Sequence, residues 1–171
     1  RPWLDRFLAN VPLGGTVLDI GCGTGEPIAR YLLQCGRRVV GVDSSPAMIE
    51  MCRARFPGAE WEVADMRRLA LGRAYDGIIA WDSFFHLIAD DQQAMFPLFA
   101  AHASPGAVLM FTSGSGAGEA IGEYRGEPLY HASLDPAEYE HLLERNGFSL
   151  VAHVIDDADC GYHTIWLARS A

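Results

Sequence analysis

The chain has 171 residues, half of them apolar, with 13 basic against 22 acidic side chains and a formal net charge of −9. That length suits a single domain, residues 1–171, with one substantial core and no separate substrate domain. A pI near 5.0 without the basic patch that phosphate backbones require argues against a nucleic-acid substrate, and the lack of a long apolar run or a charged-then-apolar leader predicts a cytoplasmic protein with no membrane span.

The first strong pattern is Val17-Leu18-Asp19-Ile20-Gly21-Cys22-Gly23-Thr24-Gly25. A short apolar strand, Thr16 to Ile20, runs into three glycines at alternate positions, which let the backbone turn tightly and approach a ligand that a Cβ would push away. The dinucleotide fingerprint wants glycine at the first, third and sixth positions. Counting from Gly21, the sixth is Glu26, whose carboxylate would repel a diphosphate at the helix start.

A helical stretch from Pro27 to Gln34 leads to a second β-branched strand, Arg38 to Asp43. Asp43 stands where a ribose-binding carboxylate belongs, since two adjacent hydroxyls can donate to one carboxylate; dehydrogenases share that feature. Pro46 suits the first turn of a helix capped by Ser44 or Ser45, with Met48, Ile49, Cys52 and Phe56 on one face. The third strand, Ala59 to Ala64, ends in Asp65-Met66, and the fourth, Tyr75 to Ala80, in Trp81-Asp82-Ser83-Phe84-Phe85-His86-Leu87.

A helix over 91–102 carries Pro97, which should kink it or delay its start. Pro105-Gly106 then turns the chain into a fifth strand, Ala107 to Thr112. The glycine-dense segment that follows is too long for a plain connection, so residues 115–134 read as a lid or binding loop. Asp135-Pro136-Ala137-Glu138 starts a helix that Gly147 stops, and Phe148 to Ile155 and Tyr162 to Ala168 close the chain as strands. This alternation predicts an α/β fold, a doubly wound parallel sheet with helices on both faces. Cys22, Cys35, Cys52 and Cys160 form no Cys-x-x-Cys pair and the histidines no His-x-x-x-His pair, so no metal is expected and the thiols read as reduced. Trp61, Trp166 and His141 read as core or surface residues.

The run Leu18 to Gly25 resembles the first motif of the class I S-adenosylmethionine-dependent methyltransferases, and with Asp43 and Asp65 at the next strand ends the resemblance extends from about Thr16 to Ala168. It implies a mostly parallel seven-stranded, Rossmann-like sheet whose last strand inserts antiparallel beside the fifth. It implies S-adenosylmethionine as cofactor, held around Asp19, Gly21, Cys22, Gly23, Gly25, Asp43, Ser44, Asp65, Met66 and Trp81, with Asp65 accepting from the adenine amino group. In related small-molecule enzymes the segment after the fourth strand lies beside the transferred methyl. Enzymes that methylate nucleic-acid amines show prolines there, whereas this chain has Asp82-Ser83-Phe84-Phe85, which points to a small-molecule acceptor.

An in-line displacement needs positioning, and a base where the acceptor arrives protonated. His86 and His131 are candidate bases and Asp82 a candidate orienting group. Phe85, Tyr130 and Arg125 are candidate substrate-binding residues, Arg125 by a bidentate pair with a substrate carboxylate. Two other readings stand beside a methyltransferase: a catalytically silent cofactor-binding subunit, and a nicotinamide oxidoreductase, which Glu26 opposes. The acceptor atom and the oligomeric state are left open by the sequence.

Overall fold

The computed structural model describes residues 1–123 and 126–171 and the backbone of Tyr124. Its elements are α1 (Pro2–Leu8), β1 (Thr16–Ile20), α2 (Ile28–Gln34), β2 (Arg38–Asp43), α3 (Pro46–Arg55), β3 (Glu60–Val63), β4 (Tyr75–Ala80), α4 (Ala89–Ala101), β5 (Ala103–Ser113), β6 (Gly118–Tyr124), β7 (Glu127–Ser133), α5 (Pro136–Arg145), β8 (Phe148–Asp157) and β9 (His163–Ser170). Among the described residues the main sheet has seven strands in the order β3-β2-β1-β4-β5-β9-β8. The pairings from β3 to β5 are parallel, and β9 lies antiparallel between β5 and β8.

The central strands are apolar without a polar face because both sides are covered. On β1, Leu18 and Ile20 join one core and Val17 the other; on β5, Leu109 and Phe111 alternate with Val108 and Met110; on β9, Trp166 and Ala168 alternate with Ile165 and Leu167. One core receives Met95, Phe96 and Phe99 of α4 and Tyr139 and Leu143 of α5. The other receives Trp3 and Phe7 of α1, Leu32 of α2, and Ile49 and Cys52 of α3. The first core is strongly aromatic, with Phe84 edge-on to Phe111 at 5.2 Å and Phe111 stacked on Trp166 at 5.7 Å, arrangements worth roughly 0.5–1.5 kcal/mol each beyond area burial.

Three expectations are corrected. Helix α4 starts at Ala89, before Asp91, with Pro97 inside it; the proline lies on the exposed face, where the carbonyl it leaves unpaired can reach water. Strand β5 begins at Ala103 rather than Ala107. Most consequentially, the segment read as a loop is largely a β-hairpin, β6 paired antiparallel with β7 from Gly118↔Ser133 to Tyr124↔Glu127. Its glycines and Pro128, poor strand formers elsewhere, are tolerated in a two-stranded ribbon with free edges.

The strand order reverses between β1 and β4, and open α/β sheets bind ligands beyond the strand ends at such a reversal. Here the chain packs tightly. The Ser83 hydroxyl, just past β4, donates to the Ile20 carbonyl at 2.7 Å. A Cβ on Gly21 would lie 2.3 Å from that of Ser83, and Gly21 has φ +73°. Glycine is therefore required at this position by packing as well as by backbone conformation.

Candidate active site

Two clefts open at the carboxyl edge of the sheet, and Asp82 lines both. The first, of about 410 Å³, is bordered by the glycine loop, Asp43 and Ser44 after β2, Ala64 to Arg67 after β3, and Ser83, His86 and Leu87 after β4. The second, of about 450 Å³, lies between Asp82 and Phe85, residues Ser113 to Gly116 after β5, the base of the β6–β7 hairpin and Gly161 to His163 before β9.

The first cleft is shaped by Asp43. Its carboxylate accepts from the Gly23 N–H and from the Ser45 N–H, each at 2.9 Å, so one side chain ties the glycine loop to the start of α3. A carboxylate has about four acceptor positions, so two such bonds leave capacity for the hydroxyls of a ribose. Asp65 is tied to Arg67, whose guanidinium donates at 2.7 Å and holds the carboxyl below its ordinary range together with the Arg67 backbone N–H. Beneath the loop, Asp19 is 3% exposed; burial first, and then the charge of Asp43, push its carboxyl up to about 7.

The glycines divide in role. Gly21 and Gly23 border the cleft, whereas a Cβ on Gly25 would meet the Phe56 ring at 2.9 Å. Cys22 is buried, its N–H donates to the Val42 carbonyl at 3.0 Å, and burial pushes its thiol far up. Cys22, Gly25 and Asp19 thus support the loop from below rather than bordering the cleft. Glu26 pairs with Arg30 on the surface and borders neither cleft. Its charge is partly satisfied, which weakens the repulsion argument drawn from it.

The second cleft is built from side chains. In the segment after β4 the three aromatics separate: Trp81 packs on the α1–α3 side of the sheet, Phe84 enters the aromatic core, and Phe85 borders the cleft. Trp81, expected at the cofactor, instead faces His163, with ring centroids 5.2 Å apart. Asp82 has φ 48°, a left-handed conformation that aspartate tolerates better than most residues, and its N–H donates to Thr112 Oγ1 at 2.9 Å. Its carboxylate lies 2.8 Å from His163 Nε2.

His163 Nδ1 donates to the Cys160 carbonyl at 2.6 Å. With Nδ1 committed as a donor, Nε2 suits the Asp82 carboxylate when it too carries a proton. Burial alone would lower the His163 pKa, but the hydrogen bond and charge of Asp82 and the Cys160 carbonyl together raise it. No local pattern marks this residue: it stands 81 positions from its partner, outside any motif.

His131, Phe85 and His86 form a cluster. Phe85 lies 5.0 Å from His131 and 4.7 Å from His86 between ring centroids, and the two histidines are 4.9 Å apart. His131 borders the second cleft, and burial first, then His86, lower its pKa against the opposing pull of Asp82; the imidazole is a free base at neutral pH. His86 borders the first cleft and is anchored through Nδ1, 3.0 Å from the Tyr130 carbonyl, a bond that ties the hairpin to the segment after β4. The buried Gln92 adds a second tie, donating to the Leu87 and Ala132 carbonyls at 2.8 Å and accepting from Tyr139 Oη at 2.6 Å.

Tyr130, expected to bind substrate, borders neither cleft and instead donates its hydroxyl to Glu119 at 2.8 Å, and it is Glu119 that borders the second cleft. Arg125 lies outside the described residues. Ser44 and Met66, expected at the cofactor, border the first cleft. Among the described residues no helix is long and apolar enough to cross a membrane.

Comparison with known proteins bears on the family and the fold. Residues 17–106 match a family model described as a methyltransferase domain. A trans-aconitate 2-methyltransferase from Azoarcus sp. strain BH72 is 39% identical over 106 residues, 60% of this chain and 41% of the relative. A dTDP-3-amino-3,4,6-trideoxy-alpha-D-glucopyranose N,N-dimethyltransferase from Streptomyces venezuelae is 28% identical over 108 residues, 62% of this chain and 45% of the relative. The chain therefore spans less than half the length of these two curated relatives. An S-adenosylmethionine-bound amino pentose methyltransferase from Micromonospora echinaspora superimposes with a TM-score of 0.79 at 20% identity, over 99% of this chain and 89% of that one; at that identity the likeness is one of fold.

Proposed function

This chain belongs to the class I S-adenosylmethionine-dependent methyltransferase family, and from that premise we propose that it transfers a methyl group to a small-molecule acceptor by in-line displacement. The first cleft is the donor site and the second the acceptor site. The observation that carries this reading is that the two clefts meet at Asp82, so that a donor in one and an acceptor in the other would approach each other there. The earlier oxidoreductase alternative falls with family membership.

The donor cleft suits S-adenosylmethionine in the chemistry of its walls: half-buried backbone at Gly21 and Gly23, a carboxylate at Asp43 with spare acceptor capacity, and Met66 beside Asp65. When bound, that molecule supplies a methyl group on a sulfonium leaving group. The protein's own task is to bind, to orient, and to receive a proton where the acceptor carries one. His131 is placed to receive it, being neutral and on the acceptor side. Asp82, held by His163 and Thr112, orients the acceptor at the junction. His86 fixes the hairpin that carries His131.

A nucleic-acid acceptor does not suit a chain with net charge −9. Four free cysteines fit a reducing compartment such as the cytoplasm.

Calorimetry with S-adenosylhomocysteine and with NAD tests the donor site: saturable binding of the first and none of the second is the expected outcome, and the reverse would overturn it. Incubation with methyl-labelled S-adenosylmethionine and a metabolite extract then tests catalysis. Label appearing in small molecules supports the enzyme, whereas binding without any transfer would favour the silent subunit.

A further inference from the structure

We propose that the acceptor is an amine that enters the second cleft as an ammonium ion, with Asp82 and Glu119 as its counter-charges and His131 as the receiver of its proton. This rests on the methyl-transfer reading above and narrows the acceptor class. It departs from the trans-aconitate named for the relative cited above, a polycarboxylate that would need cationic partners.

The charges around the cleft carry the argument. Asp82 and Glu119 both border it. The basic side chains among its described walls are His131 and His163, and His163 is already bound to Asp82 at 2.8 Å, to the Cys160 carbonyl at 2.6 Å, and against the Trp81 ring. The sequence contains no lysine, and among the described residues no arginine borders the cleft; Arg30 pairs with Glu26, Arg67 with Asp65 and Asp91, and Arg73 with Glu60, while Arg37 donates to the carbonyls of Leu8, Val11 and Cys35. A carboxylate acceptor would enter a cleft whose described walls hold two carboxylates and an imidazole already committed to one of them. An ammonium acceptor would find the same walls complementary.

Two further features fit an amine. Glu119 is held in place by the Tyr130 hydroxyl at 2.8 Å, and a carboxylate that accepts one neutral hydrogen bond keeps acceptor positions for an ammonium. An ammonium nitrogen has no lone pair and cannot attack until it loses a proton, and His131 lies in the same cleft. The acceptor's N–H proton passes to the free imidazole nitrogen. The nitrogen lone pair then forms the N–C bond as the C–S bond breaks, and that bonding pair stays on sulfur. The methylated product leaves as an ammonium ion, the proton on His131 passes to water, and atoms and charge balance.

The test uses three probes of one shape: cyclohexylamine, cyclohexanol and cyclohexanecarboxylate, titrated by NMR into the protein saturated with S-adenosylhomocysteine. Saturation is measured first, so failure of the donor site to bind is registered separately from failure of this proposal. The amine is expected to bind at least about tenfold more tightly than the alcohol, with the carboxylate weakest. Glu119→Gln should erase most of that preference. Asp82→Asn, which keeps a residue tolerant of the left-handed backbone, should reduce it as well; retained S-adenosylhomocysteine binding reports that Glu119→Gln folds, and a cooperative unfolding transition reports the same for Asp82→Asn, whose side chain also borders the donor cleft. Preferential binding of the carboxylate, equal binding of all three, or a preference unchanged in both variants would each overturn the proposal.

Discussion

The proposed donor and acceptor clefts are neighbours of similar size but are constructed differently. The proposed donor cleft draws on residues 21 to 87, from strand ends that are successive in the chain, with the glycine loop as one wall. The acceptor cleft gathers four separate stretches from Asp82 to His163, including a hairpin and the turn before an antiparallel strand, and its chemistry is in side chains. The family match, over residues 17–106, covers the donor side and stops before the hairpin. On the proposed reading, recognition of a common donor is written locally, and recognition of an individual acceptor is assembled from distant pieces.

The sharpest way to break this contrast is Gly21→Ala. The new Cβ would meet Ser83 at 2.3 Å with φ +73°, and overpacking plus left-handed strain should cost about 2–5 kcal/mol in denaturant unfolding and remove S-adenosylhomocysteine binding. Near-native affinity would mean that the loop does not bound the donor site.

Asp19→Asn probes the same region from below. The folded Asp19 carboxyl titrates at about 7 against an ordinary 3.8, so the native state holds its proton more tightly than the unfolded chain. The associated stability is fully present below the unfolded value and is lost as pH rises through about 7. Relative to the variant, the wild-type protein should lose at most about 4 kcal/mol between pH 4 and 7. Parallel stability curves would contradict this.

On the acceptor side, His131→Gln should lower kcat about 100-fold toward an amine acceptor while leaving S-adenosylhomocysteine affinity unchanged. The wild-type rate should fall with decreasing pH through a value below the ordinary histidine range, as burial dictates, and the variant should lack that limb. Asp43→Asn should do the opposite, weakening the donor about tenfold with the probe preference of the second cleft retained. The smallest effect belongs to His163→Gln. Its raised pKa gives stability present below the unfolded value and lost as pH rises through the folded one. Because both partners are about a third or more exposed, the difference between wild type and variant should be about 1 kcal/mol or less, larger at pH 6 than at pH 8.

Legibility followed the same division. Asp43 and the glycine loop stood out because a strand, a tight turn and an acidic residue at a fixed distance are short-range patterns, and the structure brings them together as expected. Trp81 and Tyr130 did not go where the sequence suggested: an aromatic next to a ligand segment can face either side of the sheet, and a tyrosine on a hairpin can serve its neighbour, as Tyr130 serves Glu119. His163 escaped notice because nothing near it in the chain signals a partner 81 residues away.

The hairpin was hidden for a related reason. Glycine and proline lower strand propensity, and β6 and β7 pair in a two-stranded ribbon apart from the main sheet, so no buried alternating stripe marked them.

The sequence alone therefore determined the parallel half of the sheet, the donor loop and the carboxylates at the strand ends, because apolar runs and glycine spacing act over a few residues. Tertiary structure decided the acceptor cleft: β9 inserting between β5 and β8 carries His163 to Asp82, and the hairpin folding back carries His131 to Phe85. Those contacts join segments about 45 to 80 residues apart, and only packing of the whole chain can repay the entropy of bringing such segments together.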